Sequence, residues 1–424
     1  MTSSTEPQTI KPIAIIGAGL GGLMLALALK KREIDTEVFE LRNPDYDFGG
    51  AIMLSPNALR VLDSIDAYER VRGKGYNFET LEFMHDKDFE RIGTYYFGHM
   101  ERYGYQALRI YRKALLHELR QMVQEKGIPI HYGVKFSHVV SEDESGVTFA
   151  FADGKVVKAP ILIGADGIHS KVRQYIDPSV VPMYAGFIGV TFAFPASKLR
   201  FPQGKDIPLP VSLHGQNGAF VLAPQNADGT EMFAGRQFKY PLQGRDGWDA
   251  LVKAKTELVA LHQADMAAWS ELARSGQEQA GSADAHSMAI WPFHRVPEIE
   301  RWASDAGRVV IMGDAAHAIP PTAGQGANQA FEDSFGLAVL LKMCEDGEID
   351  LPTGLKKWRA YRQMRIDKVL VLSDQMNNMR LSEEEKSKLP KEMVWSDQDE
   401  ETEGGQLGWL YMVDIEKDVK ALAK

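Results

Sequence analysis

Ile13-Ala14-Ile15-Ile16-Gly17-Ala18-Gly19-Leu20-Gly21-Gly22 reads as a buried strand that turns through glycines into a helix. Each glycine answers a steric demand. Gly17 allows the tight turn off the strand, Gly19 lets the backbone approach a pyrophosphate, and Gly22 lets the helix pack closely on the strand. A diphosphate at this turn would meet free N–H groups at the positive end of a helix that opens at Leu20. From Leu20 to Leu29 the chain is small and apolar, and Lys30-Lys31-Arg32 closes the helix. Thr36-Glu37-Val38-Phe39-Glu40 then supplies a second strand whose terminal acid, Glu40, is placed to take both hydroxyls of a ribose. Together these features predict a dinucleotide site on a doubly wound, Rossmann-like α/β domain. They do not separate FAD from NAD.

Composition narrows the function classes. A chain of 424 residues can bury a large core without disulfides or metals. Its net charge of −10, with Lys and Arg dispersed, argues against nucleic acid as a partner. Cys344 is the only cysteine, so no disulfide can form within the chain and a reducing compartment fits. It lies in an apolar helical pattern and reads as a small buried hydrophobe. Met1–Gln8 is polar and leads directly into the first strand, which leaves no room for a signal peptide. The longest apolar run is too short to cross a bilayer. A soluble, cytoplasmic protein without a metal is expected.

Along the chain, Ser55-Pro56-Asn57 is an N-cap followed by proline at the first helical position, opening a short helix through Ile65. Before it, Gly49-Gly50-Ala51-Ile52 reads as a loop that comes close to something. Phe78–Phe97 alternates like strands and reads as an excursion from the central sheet. Arg112–Lys126 is helical, with Leu115, Leu116, Leu119 and Val123 on one face. Val134–Ser141 and Val147–Phe151 form a hairpin, and Ile161–Gly164 is a fully apolar strand suited to a parallel sheet. From about Val181 the texture changes. Phe187–Phe194, Val211–His214, Ala219–Pro224 and Glu231–Lys239 are short strands between Gly, Pro and Asn turns, as in an antiparallel sheet. Trp248–Ser275 is helical and Ile290-Trp291-Pro292 is the return. Val309–Met312 is one more apolar strand, followed by helices over Gly326–Cys344 and Gly354–Met379 and a charged, mobile stretch over Glu383–Gly405, Trp395 aside. The expected division is a discontinuous dinucleotide domain at 10–75, 105–180 and 296–345, a substrate domain at 76–104 and 181–295, and C-terminal helices and tail at 346–424.

Two further motifs carry chemistry. Gly164-Ala165-Asp166-Gly167-Ile168-His169-Ser170-Lys171-Val172-Arg173 is a strand ending in a glycine-rich turn that contains an acid. Gly313-Asp314-Ala315-Ala316-His317-Ala318-Ile319-Pro320-Pro321-Thr322-Ala323-Gly324-Gln325-Gly326-Ala327-Asn328 hands over an aspartate and then leads into a helix N-terminus. Such an N-terminus aimed at a flavin ring stabilises negative charge on the reduced ring.

With these three motifs in order, the chain resembles the single-component FAD-dependent aromatic hydroxylases of the p-hydroxybenzoate hydroxylase fold, from about Ile13 to Arg365. Trp409-Leu410-Tyr411 is similar to a tail seen in fungal members. The resemblance implies an α/β FAD domain interrupted by an antiparallel substrate sheet. It also implies FAD as cofactor, with Gly17, Gly19, Leu20, Gly22, Glu40, Gly50, Ala51, Arg112, Asp166, Asp314, Pro321, Gly324, Gly326, Ala327 and Asn328 around it. Glu40 and Arg112 would serve the adenosine ribose and pyrophosphate, Asp166 the pyrophosphate, and Asp314 the ribityl chain. The implied chemistry is hydride transfer from NAD(P)H, capture of dioxygen as a flavin C4a-hydroperoxide, and hydroxylation of an electron-rich small molecule. The flavin itself carries the oxygen transfer. No second Rossmann-type glycine motif is present, so NAD(P)H is a transient co-substrate. Epoxidation, Baeyer–Villiger insertion, an oxidase and a flavin-binding interaction module are the alternatives on this scaffold.

Within that resemblance, Tyr184-Ala185-Gly186-Phe187-Ile188-Gly189-Val190-Thr191 puts threonine where many members carry an arginine. The stretches Phe220–Asn226 and Phe238–Pro241 are similar to the tetracycline-inactivating branch, which implies a bulky polycyclic substrate. Pocket candidates are Met53, Phe187, His214, Phe220, Phe233, Arg236 and Pro320. His317 reads as a helix-adjacent histidine satisfied by backbone rather than a base, and Arg109 as a solvated or supporting charge.

Overall fold

The computed structural model describes residues 8–9, 11–45, 50–253, 255–282, 286–381, 383–397 and 404–424. Its centre is a five-stranded sheet of short apolar runs. The spatial order is Val309–Ile311, Leu162–Gly164, Ile13–Ile16, Thr36–Glu40, Ile130–Tyr132, and every neighbouring pair is parallel. Ile13–Ile16, Leu162–Gly164 and Val309–Ile311 are buried along their whole length, as a sheet covered on both faces requires. Helix Leu20–Lys30 lies close to helix Gly326–Glu345, where the Ser334 hydroxyl donates to the Gly21 carbonyl at 2.9 Å. Gly21 suits that approach, because a Cβ there would lie 3.5 Å from Ala330 Cβ on the neighbouring helix and 3.3 Å from the Met312 side chain.

A seven-stranded sheet stands beside this layer. Its order is His286–Arg295, Met183–Pro195, Glu231–Lys239, Gly218–Pro224, Val211–Gly215, Thr80–His85, Arg91–Tyr96. Thr80–Tyr96 is thus an excursion, and it joins this sheet. The antiparallel expectation needs one correction: Val211–Gly215 pairs parallel with Thr80–His85, because these strands come from distant parts of the chain and no hairpin fixes their direction. The helical stretch expected over Trp248–Ser275 is broken into Arg245–Lys253, Lys255–Gln263, a 3-10 turn and Glu271–Gln279, the last capped by the Ser270 hydroxyl. These helices pack on one face of the sheet through Phe192, Phe220, Leu222, Trp269 and Leu272.

Two smaller sheets complete the frame. The expected hairpin is there, as Phe136–Asp143 with Gly146–Phe151. Ala51–Leu54, Ala107–Tyr111 and Tyr76–Phe78 form a three-stranded sheet, so Ala51 and Ile52 are strand rather than loop, and Tyr76–Phe78 lies apart from the seven-stranded sheet. Gly49 lies outside the described residues. Helix Leu351–Asn378 begins earlier than its apolar pattern suggested, because Asp350 caps it by accepting from Thr353 N–H at 3.0 Å and Pro352 fits its first turn. In the stretch Glu383–Gly405, read as mobile from its charge apart from Trp395, Trp395 is buried against Tyr95 with ring centroids 4.9 Å apart. Residues 398–403 lie outside the described residues. Burial pushes the Cys344 thiol up to about 11, which keeps it protonated.

Charged groups brace these layers from inside. Glu332 and Asp333 on helix Gly326–Glu345, and Arg362 on helix Leu351–Asn378, have no exposed side-chain surface. Arg362 reaches both acids, bonding Asp333 Oδ1 at 2.7 Å, while Arg365 grips Glu332 at 2.7 and 2.9 Å. Burial alone would raise Glu332, but Arg365 and Arg362 outweigh it and hold the carboxyl down to about 2. We expect Glu332→Gln, which leaves Arg365 without its counter-ion, to lower unfolding free energy by about 3–5 kcal/mol in urea titrations at neutral pH. The native carboxyl titrates below the unfolded one at about 4.3, so its contribution is present above that pH and lost as pH falls toward 2. The wild-type advantage over the variant should therefore shrink on acidification.

Candidate functional site

The glycine turn is shaped as its sequence demands. Gly17 has φ +108°, and a Cβ there would lie 2.4 Å from the Ala165 carbonyl; one on Gly22 would lie 1.9 Å from the Gly17 carbonyl. Strand, turn and helix are packed backbone to backbone. Gly19 differs, because a Cβ on it would meet nothing within 4 Å. That open spot sits at the N-cap of helix Leu20–Lys30, whose first-turn N–H groups have no partners within the helix. Glu40 closes the turn: Oε2 accepts from Ala18 N–H at 2.7 Å and Oε1 from Arg42 N–H at 2.8 Å. A carboxylate has about four acceptor positions, so capacity remains for hydroxyls.

The other motifs converge on this edge. Asp166 follows the Ala165 that backs Gly17; its Oδ2 accepts from Lys171 and Val172 N–H at 2.8 and 3.3 Å, while Oδ1 is buried without a partner. Arg173 ties the same turn to the third motif, donating to the carbonyls of Ile168 at 2.6 Å and Ala315 at 2.9 Å. Asp314 is exposed at the start of the turn Asp314–His317, and its charge offsets the burial that pulls the Arg112 guanidinium below its ordinary value. Arg112 N–H in turn donates to the Gly50 carbonyl at 3.0 Å. Gly50, at φ +98°, has no room for a side chain because Trp291 would lie 2.8 Å from its Cβ.

The ring-side loop is held by amides. Pro320 is buried and precedes the turn Pro321–Ala323. Gly324, at φ +64°, packs against Met53, whose methyl would lie 2.9 Å from a Cβ there. Asn328 is buried. It accepts from Ser55 N–H at 3.0 Å and donates to the carbonyls of Met53 at 3.0 Å and Gly324 at 2.6 Å. Gly326 begins the long helix and faces open space. A continuous edge therefore runs from Gly17 to Asn328, open at two helix N-termini, with Glu40, Arg112 and Asp314 along it. The orphaned Asp166 oxygen and the open positions at Gly19 and Gly326 fit a bound flavin dinucleotide.

The seven-stranded sheet turns one face to this edge. On Glu231–Lys239, the residues Glu231, Phe233, Gly235 and Gln237 share that face: Tyr111 donates to Glu231, and the Arg109 guanidinium lies 4.0 Å above the Phe233 ring. Phe187 and His214 lie on the same face by register. Phe187 borders a hollow of about 470 Å³ with Gly186, Lys239, Tyr240 and Pro241. Burial, with Arg380 and Lys386 nearby, pulls His214 down to about 3, so it is neutral at ordinary pH.

Two pocket candidates need correction. Phe220 and Arg236 alternate onto the opposite face, where Phe220 is fully buried near Trp269 and Arg236 bonds Asp265 at 2.7 and 3.0 Å. Of the two readings of Arg109, solvated or supporting, the structure shows the supporting one. It is half-buried between the sheets, donates Nε to Gln225 at 2.9 Å, and is lowered by burial to about 10. His317, expected to be satisfied by backbone, is instead buried against a side chain, bonding Asp333 Oδ2 at 2.5 Å, because helix Gly326–Glu345 brings that acid up to it. Sequence reading missed Trp291, Gln225, Gln237 and Arg380. Strand alternation from Phe233 could have found Gln237; Arg380 carries no local signal. Among the described residues, no cluster of His, Cys, Asp and Glu could hold a metal, and no helix is long and apolar enough to cross a membrane.

Comparison with known proteins agrees with this geometry. A family model described as an FAD binding domain matches residues 11–373. A 3-amino-4-hydroxybenzoate 2-monooxygenase of Streptomyces platensis is 30% identical over 364 residues, covering 84% of each chain. A 6-methylsalicylate 1-monooxygenase of Aspergillus terreus is 26% identical, covering 96% of this chain and 90% of its own. Among solved structures, CtdE in complex with FAD and a substrate superposes with a TM-score of 0.77 at 19% identity, over 98% of this chain and 99% of its own. Klebsiella pneumoniae HpxO complexed with FAD and uric acid gives 0.72 at 20% identity, over 97% of this chain and 96% of its own. These likenesses identify the p-hydroxybenzoate hydroxylase fold.

The two kinds of glycine separate binding from folding. Gly19→Ala fits its backbone and its space, so we expect the apoprotein to lose about 1 kcal/mol or less. FAD should bind at least about tenfold more weakly, equivalent to about 1.4 kcal/mol, in equilibrium dialysis. Gly22→Ala should instead cost about 3 kcal/mol of fold stability, read from urea unfolding of the apoprotein.

Proposed function

The chain belongs to the FAD-binding-domain family and is an FAD-dependent aromatic monooxygenase; on that premise we propose that it hydroxylates an electron-rich phenolic or polycyclic small molecule with one atom of dioxygen, drawing electrons from NADH or NADPH. The observation that carries this reading is the continuous edge from Gly17 to Asn328 with the small-residue face of the seven-stranded sheet opposite it. Bound FAD supplies the hydride acceptance and oxygen activation that side chains lack.

The protein's part is to hold, orient and exclude water. Gly19 and the first turn of helix Leu20–Lys30 take the pyrophosphate, with Glu40 at a ribose and Arg112 and Asp314 along the linking chain. The N-terminus of helix Gly326–Glu345 stabilises negative charge at the ring. Phe233 and Trp291 bound the opposite side and keep water from the reacting atoms. Beside the ring-side loop, Asp333 is bonded to His317 and Arg362, and His214 stays uncharged. Binding and geometry, rather than side-chain proton transfer, are therefore the chain's contribution. NAD(P)H docks transiently, since the chain has a single Rossmann-type glycine turn. The lone thiol and the need for reduced nicotinamide support a cytoplasmic site of action. The relatives named for an aminohydroxybenzoate and a methylsalicylate support a phenolic ring as the acceptor.

Anaerobic mixing of FAD-loaded protein with NADH or NADPH should bleach the flavin absorbance, faster when the right phenol is present. Admitting isotopically labelled dioxygen should place one labelled atom in the product. Failure of both nucleotides to reduce the loaded flavin across a panel of phenols and polycyclic phenols would overturn the proposal.

A further inference from the structure

Trp409-Leu410-Tyr411 has no part in the site described so far, yet its last two residues have no exposed surface. They end a one-turn helix, Gly408–Tyr411, and the last turn of a helix leaves carbonyls without partners. Arg365 meets them here. Its Nη1 donates to the Trp409 carbonyl at 3.0 Å and its Nη2 to the Leu410 carbonyl at 3.3 Å, while the same guanidinium grips Glu332. Tyr103 adds a second tether, donating to the Gly404 carbonyl at 2.9 Å and packing its ring on Tyr411 with centroids 5.0 Å apart. The Tyr411 ring is thus fixed from two other elements, and its hydroxyl is delivered to one place.

What that hydroxyl meets is the support of the ring-side loop, at both of its ends. On one side it donates to the Tyr95 hydroxyl at 3.4 Å, and Tyr95 packs on Phe97 with centroids 4.4 Å apart. Phe97 lies 3.5 Å from where a Cβ on Gly324 would stand. On the other side it is hydrogen-bonded to the Ser55 side chain. Ser55 gives its N–H to Asn328 Oδ1 at 3.0 Å, and its hydroxyl accepts from Gln325 Nε2 at 3.0 Å and donates to Asn57 at 2.7 Å. Burial pushes the Tyr411 phenol well up, so it stays protonated. The remainder of the tail makes only packing contacts with the long helix: a Cβ on Gly336 would lie 3.4 Å from Ile415 and 3.5 Å from Val419.

We propose that Tyr411 is a positioning residue for the ring-side loop: its hydroxyl ties Gly324 through Tyr95 and Phe97, and Asn328 through Ser55, and so sets the loop against the flavin ring. A phenol that only filled space would be replaced by phenylalanine without effect on the loop. A buried hydroxyl with two hydroxyl partners would not, because its loss leaves both of them short of a bond. The inference rests on the placement of the flavin ring at this loop in the function proposed above.

The test is hydrogen exchange of the full-length protein at saturating FAD, with FAD affinity measured separately by equilibrium dialysis. Tyr411→Phe keeps the ring and removes the hydroxyl. It should speed exchange in peptides covering Met53–Asn57 and Thr322–Gln329 by about threefold or more and weaken FAD binding by a similar factor. Ser55→Ala keeps the N–H bond to Asn328 and removes the other partner, so it should act in the same direction, and the double variant should show no more than the larger single effect. Val419→Ala is the control for general loosening. It should lower the melting temperature at least as far as Tyr411→Phe while changing exchange in both peptides by less than about twofold. Melting temperature establishes that each variant is folded, and Ser55→Ala decides alone if Tyr411→Phe does not fold. Wild-type exchange in the folded hydroxyl variants overturns the proposal, as does a Val419→Ala protein whose loop exchanges as fast as theirs. Faster loop exchange with unchanged FAD affinity and flavin absorbance keeps the tie and overturns the placement of the ring at this loop. Failure of NADH and NADPH to reduce the loaded wild type bears on the monooxygenase reading alone.

Discussion

The buried acids Glu332 and Asp333 are the constraint on which the site's geometry depends. Asp333 Oδ2 accepts from Gly313 N–H at 2.8 Å, which fixes the backbone immediately before Asp314. Glu332 accepts from Asn57 at 2.7 Å, and Asn57 also donates to Gln325 at the start of the ring-side helix. Ser55, beside it, gives its N–H to Asn328. One charged cluster therefore sets both the acid for the linking chain and the loop for the ring, although these belong to different motifs. Replacing a buried ion network by apolar side chains is often neutral or favourable for stability. An apolar cluster, however, has no directional bonds with which to aim Gly313 and Asn57, so what the charges contribute here is position.

What the sequence disclosed follows from which physics is local. Gly17 and Gly22 were legible because a tight turn and a close helix approach are short-range demands, and the structure puts carbonyl oxygens where their side chains would have been. The apolar strands Ile13–Ile16 and Val309–Ile311 were legible because a parallel sheet covered on both sides needs nothing else. Phe220 and Arg236 were misplaced for the converse reason. Alternation separates the two faces of Glu231–Lys239 but does not say which one meets the cofactor, and a one-residue change exchanges them. The helices 245–279 settle the matter by covering the side that carries Met232, Ala234 and Arg236. Arg109 and Arg380 were hidden more deeply. Whether a guanidinium is solvated depends on what folds over it, and Gln225 and Gln237 are remote from them in the chain.

Glu332 and Asp333 show the same limit inside an otherwise apolar helix. By pattern alone two adjacent acids there suggest an exposed face, yet both are buried because Arg362 and Arg365 arrive from a helix that follows in sequence. Pairs that join elements distant along the chain leave no periodic trace in either one.

The buried arginines then sort by what satisfies them, and the sorting follows their position. Arg362 and Arg365 meet acids and hold helices together; Arg236 meets Asp265 beneath the covering helices; Arg173 meets carbonyls at the turn behind Asp166. Toward the face that looks at the ring-side loop, guanidiniums end on neutral amides, Gln225 for Arg109 and Gln237 for Arg380. A shortage of acid is not the cause, since the chain has 58 acidic residues against 48 Lys and Arg. A half-buried cation without a counter-ion is costly to keep, and a carboxylate in place of either glutamine would relieve it. Such a carboxylate would also cancel the positive potential on this face. Neutral amides hold the two guanidiniums in position and leave their charge available.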